Sequence, residues 1–293
     1  MNYSIYNADN IDILKTIPNE SIDAVITDPP YEYLDHKLDK VNENKLELVK
    51  EFQRIVKDTG FVVMFGRGTA FYEYNVLLAQ NGFKFKEEVI WDKRKNSSPF
   101  SSLNRIHETI SIHGKKQSKI RKRRIPVEEI ADNKTIDDIF RRILSTIKNK
   151  KGKQELIDYI VNDYQLDYNR VGKHKHQITT GINQRITDRG IQDFNIIIKG
   201  YIEQSIISMT SEHYQYQHPT QKPVRLMERL IQLVTDEEMT VLDPFMGGGS
   251  TGIACLNLNR HFIGIEIDTE YFNTAEKRLQ DANNLWTENN SIK

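Results

Sequence analysis

Cysteine is almost missing from this 293-residue chain: Cys255 stands alone, so no internal disulfide can form, and that suits a reducing compartment. Long apolar runs are missing too. Nothing approaches the roughly 18 consecutive apolar residues that a membrane-spanning helix needs, and Met1 to Asn7 has no basic stretch followed by an apolar one. Membrane and secreted classes are set aside, and the cytoplasm is the expected location. Nor is there an excess of charge, with 41 Lys and Arg against 41 Asp and Glu. That balance would argue against a polyanionic partner if it held along the chain. It does not, because residues 115–212 carry 20 Lys and Arg against 13 Asp and Glu, leaving 21 against 28 in the flanks. A basic middle between acidic flanks points to a DNA-facing part joined to one that binds a small molecule. Lys115 to Arg124 hold seven basic residues in ten, which reads as a solvated loop or as phosphate contacts. Lys115, Lys116, Arg121, Lys122, Arg123 and Arg124 are the candidates for the second reading.

What is present is an alternation of apolar runs and helix-like patterns. Ser4 to Tyr6, Ile22 to Ile26, Phe61 to Phe65, Glu88 to Trp91 and His107 to His113 read as strands. Leu46, Val49, Phe52, Ile55 and Val56 recur at helical spacing, and Phe71, Val76, Leu77 and Leu78 do so more loosely. The pattern resumes near the C-terminus, with helices at Val224 to Val234, Gly252 to Leu258 and Glu270 to Leu285, and strands at Thr240 to Leu242 and His261 to Ile265. Cys255 lies within such a helix and reads as core. Near-continuous apolar strands separated by helices predict an α/β, doubly wound and mostly parallel sheet covered on both faces. The basic middle lacks this alternation. Its best helix runs from Thr135 to Lys148, with Thr135 and Asp138 placed as a capping box and Ile136, Ile139, Phe140, Ile143 and Ile147 on one face. A second helix is expected over Gln154 to Val161, and Val171 to Thr210 supports no assignment. The organisation read from this is 1–114, a mainly helical insert at 115–212, and 213–293.

Three motifs carry chemistry. Asp28-Pro29-Pro30-Tyr31 follows the Ala24 to Thr27 strand, and its two prolines fix two φ angles and remove two N–H donors. At the carboxyl edge of a parallel sheet, where ligands bind, it offers a carboxylate, a free carbonyl and an aromatic face. That set suits an aromatic amine, although in isolation a plain Pro-Pro turn with a surface Asp and a buried Tyr is the readier reading. Leu242-Asp243-Pro244-Phe245-Met246-Gly247-Gly248-Gly249-Ser250-Thr251-Gly252 is a strand end, a glycine turn and a helix entrance, which can bring backbone N–H groups to a ligand. Roughly twenty residues on, Glu266 stands where an acid holds ribose hydroxyls in nucleoside-binding α/β folds. The bland reading is a tight strand–helix join with a surface acid. His218-Pro219-Thr220-Gln221-Lys222-Pro223 enters the Val224 helix, either as a simple helix start or with Thr220 and Lys222 meeting a ligand carboxylate.

Together and in this order, the three motifs resemble the amino-methyltransferases of DNA, in the β group whose catalytic motif precedes the cofactor motif. The resemblance covers roughly residues 3–114 and 213–283. It implies a Rossmann-like methyltransferase sheet in permuted order, S-adenosylmethionine as cofactor, and double-stranded DNA as substrate with the target base turned out of the stack. It implies that Asp28 and the Pro29 carbonyl accept from the target amine, within the rigid Asp28-Pro29-Pro30-Tyr31 loop, and that Tyr31 stacks on the base. Asp9, Asp28, Thr220, Lys222, Asp243, Phe245, Gly247, Gly249, Ser250, Thr251 and Glu266 would shape the cofactor site, and the basic insert falls where the β group carries target recognition. Two positions depart from the family pattern: Glu32 to Lys40 is charged where an aromatic-rich stretch is usual, and Gly248 replaces Ser or Cys. Adenine N6 is the expected target. The alternatives are cytosine N4, an RNA or protein-glutamine methyltransferase, and a silent DNA-binding subunit; a homodimer is left open. No metal is called for: His174-Lys175-His176 lacks partner ligands and reads as solvated or DNA-facing. His107-Glu108 opens a strand and reads as structural.

Overall fold

The computed structural model describes residues 3–32, 44–94, 103–104, 106–148, 153–154, 156–157, 186–210 and 221–290. Ten strands are numbered along the described chain: β1 (Tyr3–Asn7), β2 (Ile22–Thr27), β3 (Val56–Gly66), β4 (Lys84–Asp92), β5 (His107–Gly114), β6 (Arg124–Ile125), β7 (Tyr201–Ile202), β8 (Ile206–Ser208), β9 (Thr240–Asp243) and β10 (His261–Glu266). Eight of them form one sheet in the order β1-β10-β9-β2-β3-β5-β4-β8. All neighbours are parallel except β5, which runs antiparallel to both β3 and β4. The doubly wound, mostly parallel sheet expected from the sequence is therefore present.

The two-sided burial follows from strand chemistry. All six residues of β2 are buried, as a central strand requires, and successive side chains go to opposite faces. Ala24 and Ile26, with Phe61, Val63 and Phe65 of β3, share one core with Leu226 and Leu230 of the Val224–Val234 helix, Ala254 of the Ser250–Asn257 helix and Leu279 of the Thr269–Asn290 helix. Val25, Val62 and Met64 share the other with Leu14 of the Asn10–Leu14 helix, Phe52 and Ile55 of the Lys45–Ile55 helix and Leu78 of the Gly68–Gln80 helix. Each fully buried Leu or Ile stabilises by about 1.5–3 kcal/mol relative to exposure. Asp23 is tolerated inside β2 because Lys57 Nζ (2.8 Å) and the Thr240 amide (2.9 Å) satisfy its carboxylate.

Chain direction creates the site. From β9 the chain crosses to β10 on one side, while from β2 it crosses to β3 on the other. Connections that diverge from adjacent parallel strands leave a crevice at their carboxyl ends. Asp28 follows β2 and Asp243 ends β9, so two of the three motifs meet there.

The chain divides into two compact units, Met1–Arg121 with Gln204–Lys293, and Lys122–Glu203. The second is shorter than the 115–212 insert expected from charge. At one end the amides of Lys115 and Gln117 bond the carbonyls of Gly60 and Asp58; at the other, β8 adds to β4. Backbone pairing, which a charge count cannot see, places both segments with the sheet. Within the smaller unit β6 pairs with β7, and helices occupy Val127–Ile130, Asn133–Lys148 and Ile186–Lys199. The capping box at Thr135 is corrected: the helix begins two residues earlier, and the Asp132 carboxylate accepts from the Thr135 amide at 2.8 Å. Its buried face is also narrower than the apolar stripe suggested. Ile139, Ile143 and Thr146 are buried, whereas Phe140 and Ile147 are exposed. Arg142 spans to Asp193 of the Ile186–Lys199 helix with bonds of 2.5 and 3.2 Å. Most of the Gln154 to Val161 helix lies outside the described residues, as do His174, Lys175 and His176.

Candidate active site

Asp28 is held from two sides. The Tyr31 hydroxyl, three residues along a loop stiffened by Pro29 and Pro30, donates to its Oδ1 at 2.7 Å. Lys222, which precedes the Val224–Val234 helix, donates from Nζ to its Oδ2. The Lys222 ammonium also lies 3.4 Å from Glu108 Oε2, and Glu108 Oε1 accepts from Lys93 Nζ. Phe65 and Tyr31 present ring faces to the same ammonium, with centroids 5.1 and 6.0 Å away. Burial opposes charge on Lys222, but the facing carboxylates of Asp28 and Glu108 outweigh it and hold the lysine protonated, above its usual range. For Asp28, burial and the nearby Glu108 charge outweigh the pull of Lys222, and its carboxyl rises above the ordinary aspartate range. Glu108 moves the other way: burial opposes its charge, but Lys222 and Lys93 prevail and lower it.

The β9 side is a cradle built largely from backbone. Asp243 accepts from the Phe245 amide (3.1 Å) and the Thr251 hydroxyl (2.5 Å), yet burial pushes its carboxyl up to about 7. The charge of Asp28 adds to that rise, so the two acidic loops lie within electrostatic reach of each other. Gly247 and Gly249 have φ of 50° and 77°, a conformation that costs other residues about 1–2 kcal/mol, and Gly249 caps the Ser250–Asn257 helix. Glu266, at the end of β10, accepts from the Gly247 (3.0 Å) and Asp268 (2.8 Å) amides; burial nonetheless raises its carboxyl. On β1's side Asp9 caps the Asn10–Leu14 helix by accepting from the Ile11 amide (2.8 Å), and the Asn10 amide group reaches the Pro244 carbonyl (3.5 Å).

This cradle fits S-adenosylmethionine. The Ser250 hydroxyl is buried at a helix entrance without a hydrogen-bond partner among the described residues. Glu266, with two amides bound, retains lone pairs for two ribose hydroxyls. Among the described residues no cluster of three or more His, Cys, Asp and Glu could hold a metal ion, and no helix is long and apolar enough to cross a membrane.

The expected site residues are thus gathered at one sheet edge, in two groups. Asp28, Tyr31 and Lys222 meet directly; Asp243, Phe245, Gly247, Gly249, Ser250, Thr251 and Glu266 line the neighbouring strand end. Thr220 lies outside the described residues. Lys222, expected either simply to open a helix or to meet a ligand carboxylate, meets the Asp28 carboxylate. The basic run is corrected in part. Lys115 is buried, with its ammonium on the Val56 carbonyl at 2.5 Å, so it has no reach to a phosphate. Arg121 pairs with Asp236 at 2.7 Å, and Arg124, though exposed, donates to the Gly200 carbonyl at 2.7 Å. Lys116 and Lys122 are exposed. Sequence reasoning passed over Glu108 as structural and did not single out Lys93. The signal was available in part: β5 is antiparallel, so its first residues lie at the same edge as the carboxyl ends of β2 and β3.

A family model described as DNA methylase, N6_N4_Mtase, matches residues 22–277. The chain belongs to this family of DNA methyltransferases. A curated relative, DNA adenine methyltransferase YhdJ of Escherichia coli K12, is 26% identical over 295 residues, covering 97% of this chain and 85% of the relative. Among solved structures, the M1.HpyAVI–SAM complex is 26% identical with a TM-score of 0.55, covering 94% of this chain and 100% of that one. The cytosine-N4-specific PvuII DNA methyltransferase shares the fold at 16% identity, with a TM-score of 0.57 over 98% of this chain and 93% of its own. This member of the family is therefore an S-adenosylmethionine-dependent DNA methyltransferase.

Proposed function

We propose that this methyltransferase modifies the N6 amino group of adenine in double-stranded DNA. The observation that carries the reading is the Asp28 carboxylate, held by Tyr31 and Lys222 at the crevice beside the Asp243–Gly249 cradle. An exocyclic amine is a poor nucleophile because its lone pair is delocalised into the ring. Two acceptors out of the ring plane, Asp28 and the Pro29 carbonyl, favour a more tetrahedral nitrogen and free that pair. Positive charge grows on the nitrogen as it attacks, and the Asp28 carboxylate stabilises that charge more in the transition state than in the ground state. Bound S-adenosylmethionine supplies an activated methyl on a sulfonium, and the contribution of the cradle is to orient it. In a duplex the amine is out of reach, so the base turns out of the stack and the Tyr31 ring takes over part of the lost stacking.

Asp before Pro-Pro-Tyr supports adenine over cytosine, and so does the likeness to an enzyme named as an adenine methyltransferase. The family model spans both products, so the base is decided by mass spectrometry of nucleosides from methylated DNA. N6-methyladenine is the expected product, and N4-methylcytosine would overturn the assignment. Residues 122–203 are proposed to recognise the target sequence, with Lys116, Lys122, Arg123 and Arg124 contacting phosphates. Base-edge contacts are assigned to Asn169 to Arg189, a segment of which only the backbone of 186–189 is described.

A further inference from the structure

Beyond the pair formed by Asp28 and Lys222, the same sheet edge holds two charged groups that the proposed mechanism leaves idle. Glu108 is the second residue of β5, and Lys93 follows β4 directly. The β4–β5 register sets Asp92 opposite His107 and Trp91 opposite Glu108, and the Lys93 amide bonds the Ile106 carbonyl at 2.7 Å. Backbone pairing therefore fixes where both side chains start. From there Glu108 reaches Lys93 with one oxygen and approaches Lys222 with the other. Lys93 in turn lies over the Trp91 ring, 4.9 Å from its centroid. The result is an alternating row, Lys93, Glu108, Lys222, Asp28, with no net charge when all four are ionised. Glu108 and Lys222 have only 12% and 9% of their side-chain surface exposed, so solvent screens this row weakly.

We propose that Glu108 is a positioning residue for methyl transfer: by also drawing on the Lys222 ammonium, it keeps Lys222 from neutralising the carboxylate that meets the target amine. Without Glu108 the row carries a net positive charge beside a nitrogen that becomes positive in the transition state. With it, Lys222 orients Asp28 while its charge is balanced elsewhere. The inference rests on the reading of Asp28 as the amine's acceptor.

The titratable groups acting on Asp28 come from four places: Tyr31 on its own loop, Glu108 on β5, Lys222 before the Val224–Val234 helix, and Asp243 on β9. Turnover is therefore measured as kcat at saturating S-adenosylmethionine and DNA, so that the ionisation of Asp243, which bears on cofactor binding, stays out of the profile. Glu108→Gln keeps the shape and removes the charge. Its kcat is expected to fall about thirty- to a hundred-fold, the scale of one unit charge about 6–8 Å away at an effective dielectric near 20, with the cofactor Kd within a few-fold of wild type. The acidic limb of kcat should also move to lower pH, because the repulsion that raises the Asp28 carboxyl is gone. The double variant Lys93→Gln/Glu108→Gln restores neutrality and should turn over faster than Glu108→Gln alone. A merely structural role predicts the reverse order and an unmoved limb.

Wild-type kcat in Glu108→Gln, an unmoved limb, or a double variant no faster than the single one overturns the proposal. If Glu108→Gln does not fold, the double variant, which buries no unpaired lysine, carries the test, and a folded but inactive protein overturns it. Failure of both to fold assigns the row to core stability and overturns it too. Asp28→Ala separates the two readings: retained turnover there removes the acceptor role itself, whereas an inactive Asp28→Ala beside an unaffected Glu108→Gln removes only the role of Glu108.

Discussion

Asp28 and Tyr31 are joined by a hydrogen bond, and this refines what each contributes. Asp28→Ala should reduce turnover by about a hundred- to a thousand-fold, the scale of losing one preorganised electrostatic stabiliser, while S-adenosylmethionine affinity stays within a few-fold. Single-turnover kinetics and calorimetry separate the two effects. Tyr31→Phe keeps the stacking face but loses the bond to Asp28 Oδ1, a loss of about 0.5–1.5 kcal/mol. It should cost up to about ten-fold in kcat, less than Tyr31→Ala, and equal kcat in the two variants would contradict a stacking role. Asp243 gives a second test at this scale. Its unfolded carboxyl titrates near 3.8 and its folded one near 7. Between those values the folded state holds a proton that the unfolded state has released, so this group's contribution is complete below about 4 and is lost as pH rises through 7. Asp243→Asn cannot ionise. Its melting temperature relative to wild type should therefore climb as pH rises from about 5 to 8, and a constant difference across that range would show that Asp243 is ionised throughout.

At the scale of elements, β9, its glycine turn and the Ser250–Asn257 helix act as one device. The strand delivers Asp243 to its carboxyl end, the turn exposes backbone there, and the helix entrance presents Ser250 and Thr251. Its geometry depends on glycine at two positions. A Cβ on Gly249 would stand 3.0 Å from the Ala275 Cβ in addition to the strain of φ at 77°. Gly249→Ala and Gly247→Val should each weaken S-adenosylmethionine binding about ten-fold, the equivalent of 1–2 kcal/mol of backbone strain; unchanged affinity in the folded variants, read by calorimetry, would remove the cradle from cofactor binding. The sequence made this device legible because every part of it lies within 18 residues, Thr240 to Asn257, where turn chemistry and helix signals are local. Val224 to Val234 was equally plain, since its apolar residues repeat at helical spacing between Pro223 and Thr235. β8 was not: three residues cannot show a period, and they form a strand only because β4 offers them an open edge. Asp132 outcompeted Thr135 as a cap because the carboxylate sits one turn before an amide that needs an acceptor.

For the whole molecule, the separation of charge bears on DNA binding. Lys115 and Arg121 are engaged within the larger unit, so the phosphate contacts proposed above are Lys116, Lys122, Arg123 and Arg124. Replacing these four with Ala should weaken binding to all DNA sequences and flatten the salt dependence by roughly one unit for each phosphate no longer neutralised, with cofactor affinity unchanged. Fluorescence anisotropy across a salt series checks this, and an unchanged slope would place the DNA on another surface. A count of charges found the basic segment but not its edges, because Lys115 is as basic in sequence as Lys116 and differs only in what folds over it.

The sequence by itself determined the sheet, the order of its motifs and the glycine turn with its helix entrance, because strand periodicity, proline and glycine turns and helix entrances act over a few neighbours. The tertiary structure decided the electrostatics around Asp28. Lys222 lies 194 residues from Asp28, and Lys93 follows β4 whereas Glu108 belongs to β5. Which of 41 basic and 41 acidic residues face one another, and how far burial strengthens the pairing, depends on where the sheet brings distant strand ends together.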